Sequence, residues 1–513
     1  MNIPKEILEI IDKLQKADFE AYLVGGCVRD LLLKKQPKDW DITTNASPEV
    51  IQKLFPDSIY ENDFGTVLVK TNSQLRELKT VEITTFRREG KYTDKRHPDT
   101  ITFAKTLEED LSRRDFTINA MAMEIRTKDR ESRIKKNRIP VIHSFKFQIQ
   151  NSKFYNIIDP YNGRKDLKNK LIKAVGDPQK RFQEDALRLM RAVRLSCELN
   201  FQIEENTLKA IKNNAHLLKF IAPERIRDEF IRIINSFNAS QGILLLQETN
   251  LLKQFIPELE QTIGVTQNKH HIYTVFEHLW RSLDYAAKKN YSLEVRLASL
   301  FHDIGKPLVK KGEGKEATFY NHEIVSAKIT RQILTRLKFP SAIINTVVTL
   351  VRYHGFVYDP LITTDAAIRR LLMKVKSDNI LFLAQVRESD RIGSGCPKAL
   401  PFRLRHFLFK VEKVQKQLKG EEPSLKILKL NGNDIMQILN IKPGPKVGMI
   451  LNILLEEVLN DYDKNNREYL TKRVKELGNL KQEELKRLSN KAKEQYYNFL
   501  QEEELKIKKK YRL

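Results

Sequence analysis

Hydrophobic positions follow two different spacings along the chain, and the helical spacing takes over about a third of the way through. Residues 1–20 carry apolar side chains every three or four positions, as one face of an amphipathic helix does. These are Ile7, Leu8, Ile11 and Leu14. Short runs of β-branched and aromatic residues come next. They predict strands at Ala21–Val24, Trp40–Thr44, Val67–Lys70 and Val81–Phe86, with a helix near Pro48–Leu54.

After about residue 165 the strand pattern stops, and helical periodicity dominates to the end. The clearest stretches are Arg181–Leu199, Ala222–Ile234, Leu293–Phe301 and Met449–Leu459. Strands mixed with helices in the first part, and helices alone in the rest, indicate an α+β protein. We therefore predict a small mixed head followed by an all-α body.

Composition limits the class of protein. With 513 residues, 41% hydrophobic and 31% charged, the chain reads as globular with two to four domains. It contains no run of about 18 apolar residues, and the first residues lack the apolar segment of a signal peptide. We expect a cytoplasmic protein with no membrane partner. The three cysteines are far apart, which favours reduced thiols over a disulfide or zinc framework.

The chain is strongly basic, with 91 Lys and Arg against 66 Asp and Glu and a formal charge of +25. Such an excess favours a nucleic-acid partner, because neutralised phosphates supply much of the affinity for nucleic acids. A basic segment at 126–150 and a lysine-rich C-terminus after Asn460 add to the charge. Each is either a solvated surface element or an RNA-contacting arm, and the sequence leaves both readings open.

Two aspartates one residue apart, Asp39 and Asp41, follow the glycine pair Gly25-Gly26. On a strand, side chains at i and i+2 point to the same side, so both carboxylates can face one Mg²⁺ ion. Glu82, on a predicted neighbouring strand, is a candidate third carboxylate. The glycine pair and the nearby Arg29 would let a triphosphate approach the backbone closely.

Two arginine-containing segments could act on a nucleotide. Arg113 and Arg114 form a candidate phosphate clamp. Further on, four polar residues at i+3 spacing predict one stripe on a helix: Asp185, Arg188, Arg191 and Arg194. A carboxylate and a guanidinium together match the Watson–Crick edge of cytosine or adenine, and mismatch guanine and uracil. An ordinary surface salt bridge is the alternative reading of Asp185 and Arg188.

Seven ordered sequence blocks between about residues 20 and 235 resemble the class II nucleotidyltransferases of bacteria, which include the tRNA CCA-adding enzymes and related poly(A) polymerases. The blocks are GGCVRD, PKDWDITT, VEITTFRREGKYTDKRHPDTITF, EEDLSRRDFTINAMA, IIDPYNGRKDL, GDPQKRFQEDALRLMRAVR and APERIRDEF. Two departures from the family are Lys34-Lys35, where many relatives carry glycine, and the long basic segment at 126–150.

The resemblance implies a role for each matching residue. Asp39 and Asp41 would hold the Mg²⁺ ions, and Gly26 and Arg29 would contact the triphosphate with Arg114 nearby. The base would be read by Asp185 and Arg188, with Arg191 and Arg194 helping to hold the nucleotide. The implied reaction is in-line attack of an RNA 3′-hydroxyl on the α-phosphorus with release of pyrophosphate.

A second candidate site is rich in histidine, although the chain has only 10 histidines. Imidazole with carboxylate suits Mn, Fe, Ni, Co or Zn, so a transition metal is expected there. The pattern resembles an HD phosphohydrolase domain with the ligands His278, His302, Asp303 and Asp390, and with His322 and His354 as possible ligands of a second metal. The alternative is a degenerate domain in which these histidines only pack and hydrogen-bond.

With these resemblances, we predict a polymerase-beta-like nucleotidyltransferase head, an all-α neck, an HD-type body and a helical tail. The respective boundaries are 1–150, 151–250, 251–400 and 401–513. The leading hypothesis is addition or repair of the 3′-terminal CCA of tRNA with CTP and ATP.

Two alternatives stay open. One is a poly(A) polymerase or an enzyme that adds only the terminal A. The other is an HD phosphohydrolase with an RNA-binding head. The polar loop Arg87–Asp99 argues against an enzyme that adds only C, because the resemblance implies that such enzymes lack this loop.

Overall fold

The computed structural model describes residues 3–62, 65–90, 101–126, 146–149, 153–268, 272–395, 401–418 and 425–492. Contacts divide the chain into two compact units, Met1–Pro257 and Glu258–Leu513. Most of the predicted loop Arg87–Asp99, most of the basic segment at 126–150 and the last lysines lie outside the described residues. None of the described helices is long and apolar enough to cross a membrane.

The first unit is built on an eight-stranded sheet in the order β3-β4-β5-β2-β1-β8-β10-β9. These strands are β1 Ala21–Val24, β2 Asp41–Thr44, β3 Ser58–Asn62, β4 Thr66–Lys70, β5 Thr80–Thr85, β8 Ala122–Arg126, β9 Lys146–Ile149 and β10 Lys153–Ile158. Four shorter strands pair outside this sheet: β6 Arg87–Glu89 with β7 Ile101–Phe103, and β11 Leu171–Ile172 with β12 Gln202–Ile203.

The four predicted strands are confirmed, with ends shifted by at most one residue. One shift concerns the candidate site: β2 begins at Asp41, so Asp39 lies in the bend before the strand and not on it. The expectation that both carboxylates project from one strand is therefore wrong. Lys34, where many relatives carry glycine, has a φ of +59°, in the left-handed region that favours glycine.

The helices of the first unit cover the sheet and then continue beyond it. The N-terminal helix buries Ile7, Ile11 and Leu14 and packs against β1, as its periodicity predicts. The helices are Lys5–Lys16, Gly26–Leu32, Pro48–Leu54, Leu107–Ser112, Gly163–Lys168, Pro178–Glu184, Leu187–Leu199, Glu205–Asn214, Pro223–Asn235, Ala239–Glu248 and Leu252–Phe255. After residue 165 the only described strands are the two-residue β11 and β12, which confirms the predicted change to helices.

The predicted single helix Arg181–Leu199 is wrong, because the chain breaks at Asp185. This residue is extended, with φ −131° and ψ 105°, and it ends one helix before Leu187–Leu199 begins. Its carboxylate accepts a hydrogen bond from the Leu187 amide at 3.0 Å. Side chains of Asp compete in this way with helical hydrogen bonding. The predicted polar stripe is correct for Arg188, Arg191 and Arg194, which all lie on the helix Leu187–Leu199, but not for Asp185, which precedes this helix.

The second unit is helical throughout its described part. Four of its helices pack around one another: Val275–Lys288, Leu293–Phe301, Ser341–Tyr353 and Ile380–Gly393. His278 and Asp390 lie on the first and last of them, His302 and His354 directly follow the other two, and His322 begins the helix His322–Arg336. The other helices are Pro257–Glu260, which begins at the division, Lys306–Val309, His322–Arg336, Asp365–Val375, Pro401–Gln417, Gly432–Leu439, Pro445–Asn460, Arg467–Gly478 and a helix at 482–492. The predicted α+β architecture, a mixed head followed by helices, is confirmed.

Candidate active site and metal centre

The candidate active site lies where β1, β2 and β5 meet. β1 ends at Val24, and the chain turns through Gly25, whose φ of +77° favours glycine, into the helix Gly26–Leu32. Asp41 lies opposite Val24 on one side and opposite Glu82 in the parallel β5 on the other. Since paired residues of parallel strands share a face, the structure brings the Asp41 and Glu82 carboxylates to one edge.

The guanidinium of Arg114 reaches the same edge. A Cβ atom on Gly25 would lie 3.0 Å from Arg114 Nη1 and 3.2 Å from Asp41 Oδ2. The missing side chain of Gly25 is therefore what allows both groups to enter the space above the turn. Burial raises the pKa of the Asp41 carboxyl, Arg114 opposes the rise, and the neighbouring Asp39 adds to it.

Arg29 is fixed beside the glycine turn. It donates to Asn119 Oδ1 at 2.8 Å and pairs with Asp30 at 2.8 Å. A Cβ atom on Gly26 would lie 3.5 Å from Arg29 Nη2. Backbone amides at the start of a helix and a guanidinium beside them are suited to an anion. Gly26, Arg29 and Arg114 are thus brought to one place, as predicted for a triphosphate.

Asp115 connects the sheet to the helix that carries the predicted base reader. Its carboxylate accepts from Arg191 Nε at 2.8 Å and Nη2 at 2.6 Å. Although burial raises the pKa of Asp115, the Arg191 guanidinium outweighs burial and holds this pKa well below its usual range. The structure thus places Arg191 in an ion pair that the sequence reasoning missed.

Arg188 is held by groups on both sides. It donates to Glu184 Oε2 at 2.7 Å and to the carbonyl oxygen of Arg113 at 3.2 Å. Burial raises the pKa of Asp185, while the charge of Arg188 opposes the rise, so the two predicted base-reading groups lie close enough to interact. Glu184 was missed, although its i+4 spacing to Arg188 was visible in the sequence.

Arg194 has a different setting from the other predicted nucleotide-binding residues. Its Nε lies 3.0 Å from Glu229 Oε2 on the helix Pro223–Asn235, and both side chains are buried. Burial lowers the pKa of this guanidinium to about 10. This ion pair joins the helices Leu187–Leu199 and Pro223–Asn235.

The histidine-rich site of the second unit is a compact cluster around Asp303. His278 Nε2 and His302 Nε2 lie 2.8 Å apart, and Asp303 Oδ2 lies 3.4 and 3.3 Å from them. Asp390 Oδ1 approaches His278 Nε2 to 3.2 Å. The other oxygen of Asp303, Oδ1, lies 3.2 Å from His322 Nε2 and 3.6 Å from His354 Nε2. All six predicted ligands are brought together.

Three of the histidines are oriented by the backbone of their own helix turn. The Nδ1 atoms of His302, His322 and His354 lie 2.9, 2.7 and 2.7 Å from the carbonyl oxygens three residues earlier. An Nδ1–H that donates to a carbonyl leaves Nε2 as the ligand atom. Two groups of ligand atoms are close enough to hold an ion: His278, His302 and Asp303, and Asp303, His322 and His354.

Two cations steady the carboxylates of this cluster. Lys306 Nζ lies 2.6 Å from Asp303 Oδ2, and Arg387 Nη1 donates to Asp390 Oδ2 at 2.7 Å. Burial raises the pKa values of both carboxyls, but these cations and the histidines hold them well below the usual range. The sequence reasoning missed Lys306 and Arg387, although each lies three residues from its aspartate.

Comparisons with known proteins match successive parts of the chain. The family model described as "Poly A polymerase head domain" matches residues 21–173. "Probable RNA and SrmB- binding site of polymerase A" matches residues 200–263, and "HD domain" matches residues 275–391. The three matches follow the order of the predicted regions.

Relatives match over different lengths. The CCA-adding enzyme of Ligilactobacillus salivarius is 32% identical over 486 residues, which cover 93% of this chain and 98% of the relative. That of Lactobacillus helveticus is 44% identical over 245 residues, 48% of this chain and 53% of the relative. That of Enterococcus faecalis is 30% identical and covers 91% and 94%.

Solved structures resemble the whole chain. The Bacillus stearothermophilus CCA-adding enzyme in complex with CTP has a TM-score of 0.65 and 28% identity, and the match covers 93% of this chain and 98% of that one. The Thermotoga maritima CCA-adding enzyme complexed with tRNA-CCA has a TM-score of 0.51 and 18% identity, with 92% and 95% covered. The second likeness concerns the fold alone.

Proposed function

Because this chain belongs to the family of CCA-adding enzymes, which are tRNA nucleotidyltransferases, we propose that it builds or repairs the 3′-terminal CCA of tRNA from CTP and ATP. The fold is that of the family, with a polymerase-beta-like head and an HD domain. The observation that carries the proposal is that Asp41 pairs with Glu82 on the neighbouring strand and shares the space above Gly25 with Arg114.

The carboxylates of Asp39 and Asp41, with Glu82 as a third, are the oxygen donors that Mg²⁺ prefers. Bound there, Mg²⁺ would activate the attacking hydroxyl and neutralise charge on the departing pyrophosphate. The RNA 3′-oxygen forms a bond to the α-phosphorus, and the bond from this phosphorus to the β-phosphate oxygen breaks. Gly26, Arg29 and Arg114 hold the triphosphate in line for this exchange.

The base is selected by Asp185 and Arg188, on the side of the site formed by the helix break. An ionised Asp185 accepts from the exocyclic amine of cytosine or adenine, and Arg188 donates to the adjacent ring nitrogen. Arg191 and Arg194 act behind this pair, through their ion pairs with Asp115 and Glu229. Guanine and uracil would leave a buried group unpaired, which is costly.

The decisive test uses purified protein and tRNA that ends before CCA. CTP, ATP, GTP and UTP are supplied singly and in combination, and the products are sequenced. We expect growth that stops at CCA and needs both CTP and ATP. A long A tail from ATP alone would contradict the proposal and favour a poly(A) polymerase, and addition of A only to tRNA ending in CC would favour an A-adding enzyme.

The second site supports a second function. Asp303 turns one oxygen toward His278 and His302 and the other toward His322 and His354. We propose that these residues would hold two transition-metal ions, with one Asp303 oxygen available to each group of histidines, and that the ions would support hydrolysis of phosphate at a damaged RNA 3′ end such as a 2′,3′-cyclic phosphate. The donor set of imidazoles and carboxylates fits such ions.

Metal analysis tests this second function. We expect close to two bound ions in the wild-type second unit of the full chain, and one fewer in the His322→Ala/His354→Ala double variant. Loss of cyclic-phosphate hydrolysis in the double variant with unchanged CCA addition would support two independent sites. An equal metal content in both proteins would contradict the proposed pair of ions beside Asp303.

Three further proposals concern the location, the domain boundaries and the RNA contacts of this protein. We propose a cytoplasmic location, where tRNA, CTP and ATP are present, and no membrane partner. We retain the four-part division at residues 150, 250 and 400 as a proposal. The contact of 126–150 and of the C-terminal lysines with RNA is also a proposal, supported by their charge.

A further inference from the structure

A fully buried carboxylate lies beside the candidate triphosphate site and has no role in the scheme above. Asp110, on the helix Leu107–Ser112, has no exposed surface. An isolated charge in such a place is costly, so its partners decide why it is tolerated. Those partners are the two arginines of the predicted phosphate clamp.

Asp110 holds both arginines with different oxygens. Oδ1 accepts from Arg113 Nε at 3.0 Å and Nη2 at 2.8 Å, and Oδ2 accepts from Arg114 Nη2 at 3.4 Å. The spacings of three and four residues let both side chains fold back over the end of the helix. Burial raises the pKa of Asp110, but Arg113 and Arg114 outweigh it, so the pKa lies below its usual range and the group is ionised.

A third donor ties Asp110 to the sheet. The amide of Arg87, the first residue of β6, lies 3.4 Å from Oδ1. β6 follows directly after β5, the strand that carries Glu82. The carboxylate therefore fixes the clamp relative to the strand that contributes the third acidic group.

The fork of Arg114 has one end on Asp110 and the other at the reaction site. Nη2 faces Asp110, whereas Nη1 enters the space above Gly25 into which Asp41 Oδ2 also points. Its Nε is buried and makes no hydrogen bond among the described residues. Among the described residues, Asp110 is the carboxylate that pairs with Arg114. Without it, the guanidinium would pair with Asp41 and occupy an oxygen proposed to bind Mg²⁺.

We propose that Asp110 is a positioning residue for nucleotide binding: it directs Arg114 toward the triphosphate and prevents Arg114 from forming a salt bridge with Asp41. The proposal rests on the function proposed above. Asp110 should then affect the affinity for the triphosphate and the Mg²⁺ requirement, and by the same amount whichever base the nucleotide carries.

Asp110→Asn tests this role, because it keeps the shape and removes the charge. We expect KM for CTP and for ATP to rise by the same factor, about tenfold, since charge-assisted hydrogen bonds are about twice as strong as neutral ones. We expect kcat to change by less than about threefold and the Mg²⁺ concentration for half-maximal rate to rise. Inorganic triphosphate, a competitor without a base, should lose affinity by the same factor as CTP.

The matched control is Asp166→Asn. Asp166 is another buried carboxyl of this unit, and it accepts from the Thr117 hydroxyl at 2.7 Å. A loss of stability is expected in this variant, without change in KM, Mg²⁺ requirement or triphosphate affinity. If Asp166→Asn changes these quantities as much as Asp110→Asn does, the effect is one of folding and the proposal is wrong.

A double-mutant cycle separates action through Arg114 from any other route. Asp110→Asn should add less than about twofold to KM when Arg114 is already replaced by Gln, because Arg114 is then absent. An equal effect in both backgrounds, or an unchanged KM in Asp110→Asn, would overturn the proposal. Should Asp110→Asn not fold, Asp110→Ser takes its place, and failure of both to fold would overturn a positioning role.

The two proposals fail in distinguishable ways. If the wild-type protein adds no nucleotide to tRNA, or a different product, the proposed function is wrong whatever Asp110 does. If the wild-type protein makes CCA and the cycle is additive, only the role of Asp110 is wrong.

Discussion

The two candidate metal sites of this chain differ in how much of each is formed before any ligand arrives. At the head, Asp39 and Glu82 are exposed and Asp41 is partly so, and the three come from a bend and two strands. At the HD centre, His278 and His302 are fully buried, and Asp303 is 2% exposed. The first site is an open edge, and the second is a closed cluster.

The difference follows from what each site must accept. A Mg²⁺ ion takes part of its coordination from water and from substrate phosphates, so a protein needs to supply only a few oxygens on an accessible surface. Imidazole ligands must be oriented by hydrogen bonds at their other nitrogen, which requires packed backbone around them. Changes at the head should therefore affect chemistry alone, and changes at the HD centre should affect metal binding and packing together.

The largest expected effect tests the open edge. Asp39→Ala should lower the rate of nucleotide addition by about 10³-fold, because a metal ion contributes several kcal/mol to the reaction. The melting temperature should stay within about 2 °C, since exposed side chains away from packed features contribute little to stability. Primer extension and thermal unfolding measure the two quantities. A large fall in melting temperature would contradict the comparison.

The second prediction tests the closed cluster. His302→Ala should weaken transition-metal binding by at least about 100-fold, because it removes a metal ligand. Removing only a hydrogen-bond partner of such a ligand already lowers metal affinity by about 10- to 100-fold. It should also lower stability by about 2 kcal/mol or more, since it opens a cavity in a packed core. Metal titration and denaturant unfolding are the measurements. CCA addition should be within about twofold of wild type, and a coupled loss would show that the sites are not independent.

The third prediction concerns the ion pair of Arg191 and Asp115 in the head, which is less exposed than Asp39 and Glu82 but more exposed than the HD centre. Arg191→Leu removes the guanidinium that pairs with Asp115. The free energy of unfolding should fall by about 2 kcal/mol at pH 7. This is less than the loss usual for a fully buried pair, because the Arg191 side chain is about a third exposed. Protection of residues 187–199 from hydrogen exchange should fall accordingly.

The pH dependence of this loss has a definite sign. The pKa of Asp115 is depressed in the folded protein, so the pair contributes stability above the unfolded pKa of about 4 and loses it as the pH falls toward the folded value. The difference between wild type and Arg191→Leu should therefore shrink as the pH is lowered from about 5 to about 3. A difference that stays constant with pH would show that Asp115 is not the partner that matters.

The sequence was most informative where neighbours along the chain also act together. The spacing of Asp39 and Asp41 after the glycine pair indicated a metal site, although Asp39 lies before the strand, and the i+3 and i+4 spacings of Asp110, Arg113 and Arg114 were equally visible. Their burial was not, because it depends on strands distant in sequence. The strand order of the head arises from such non-local pairing, which local patterns do not encode.

Asp185 shows the converse. The sequence has helical periodicity on both sides of Asp185, so the pattern predicted one helix. In the structure the Asp185 carboxylate accepts a hydrogen bond from the Leu187 amide, and the helix is interrupted there. The side chain of one Asp can compete with the backbone hydrogen bonds of a helix. This local effect is not visible in the spacing of apolar residues. A residue predicted to read the base thus has a local structure that differs from the predicted helix.

The smallest expected effect concerns Asp185. It tests whether the head selects the base of the nucleotide through the negative charge of this residue. Asp185→Asn keeps an acceptor and adds an N–H donor, which can face the carbonyl of uracil. The preference for CTP over UTP should fall by about tenfold, the worth of one hydrogen bond to a buried group. Asp177→Asn is the matched control, because Asp177 also caps a helix, accepting from the Gln179 amide at 2.9 Å. The kcat/KM values for single nucleotides should change in Asp185→Asn and not in Asp177→Asn. Equal changes in both variants would show that Asp185 acts only as a helix cap.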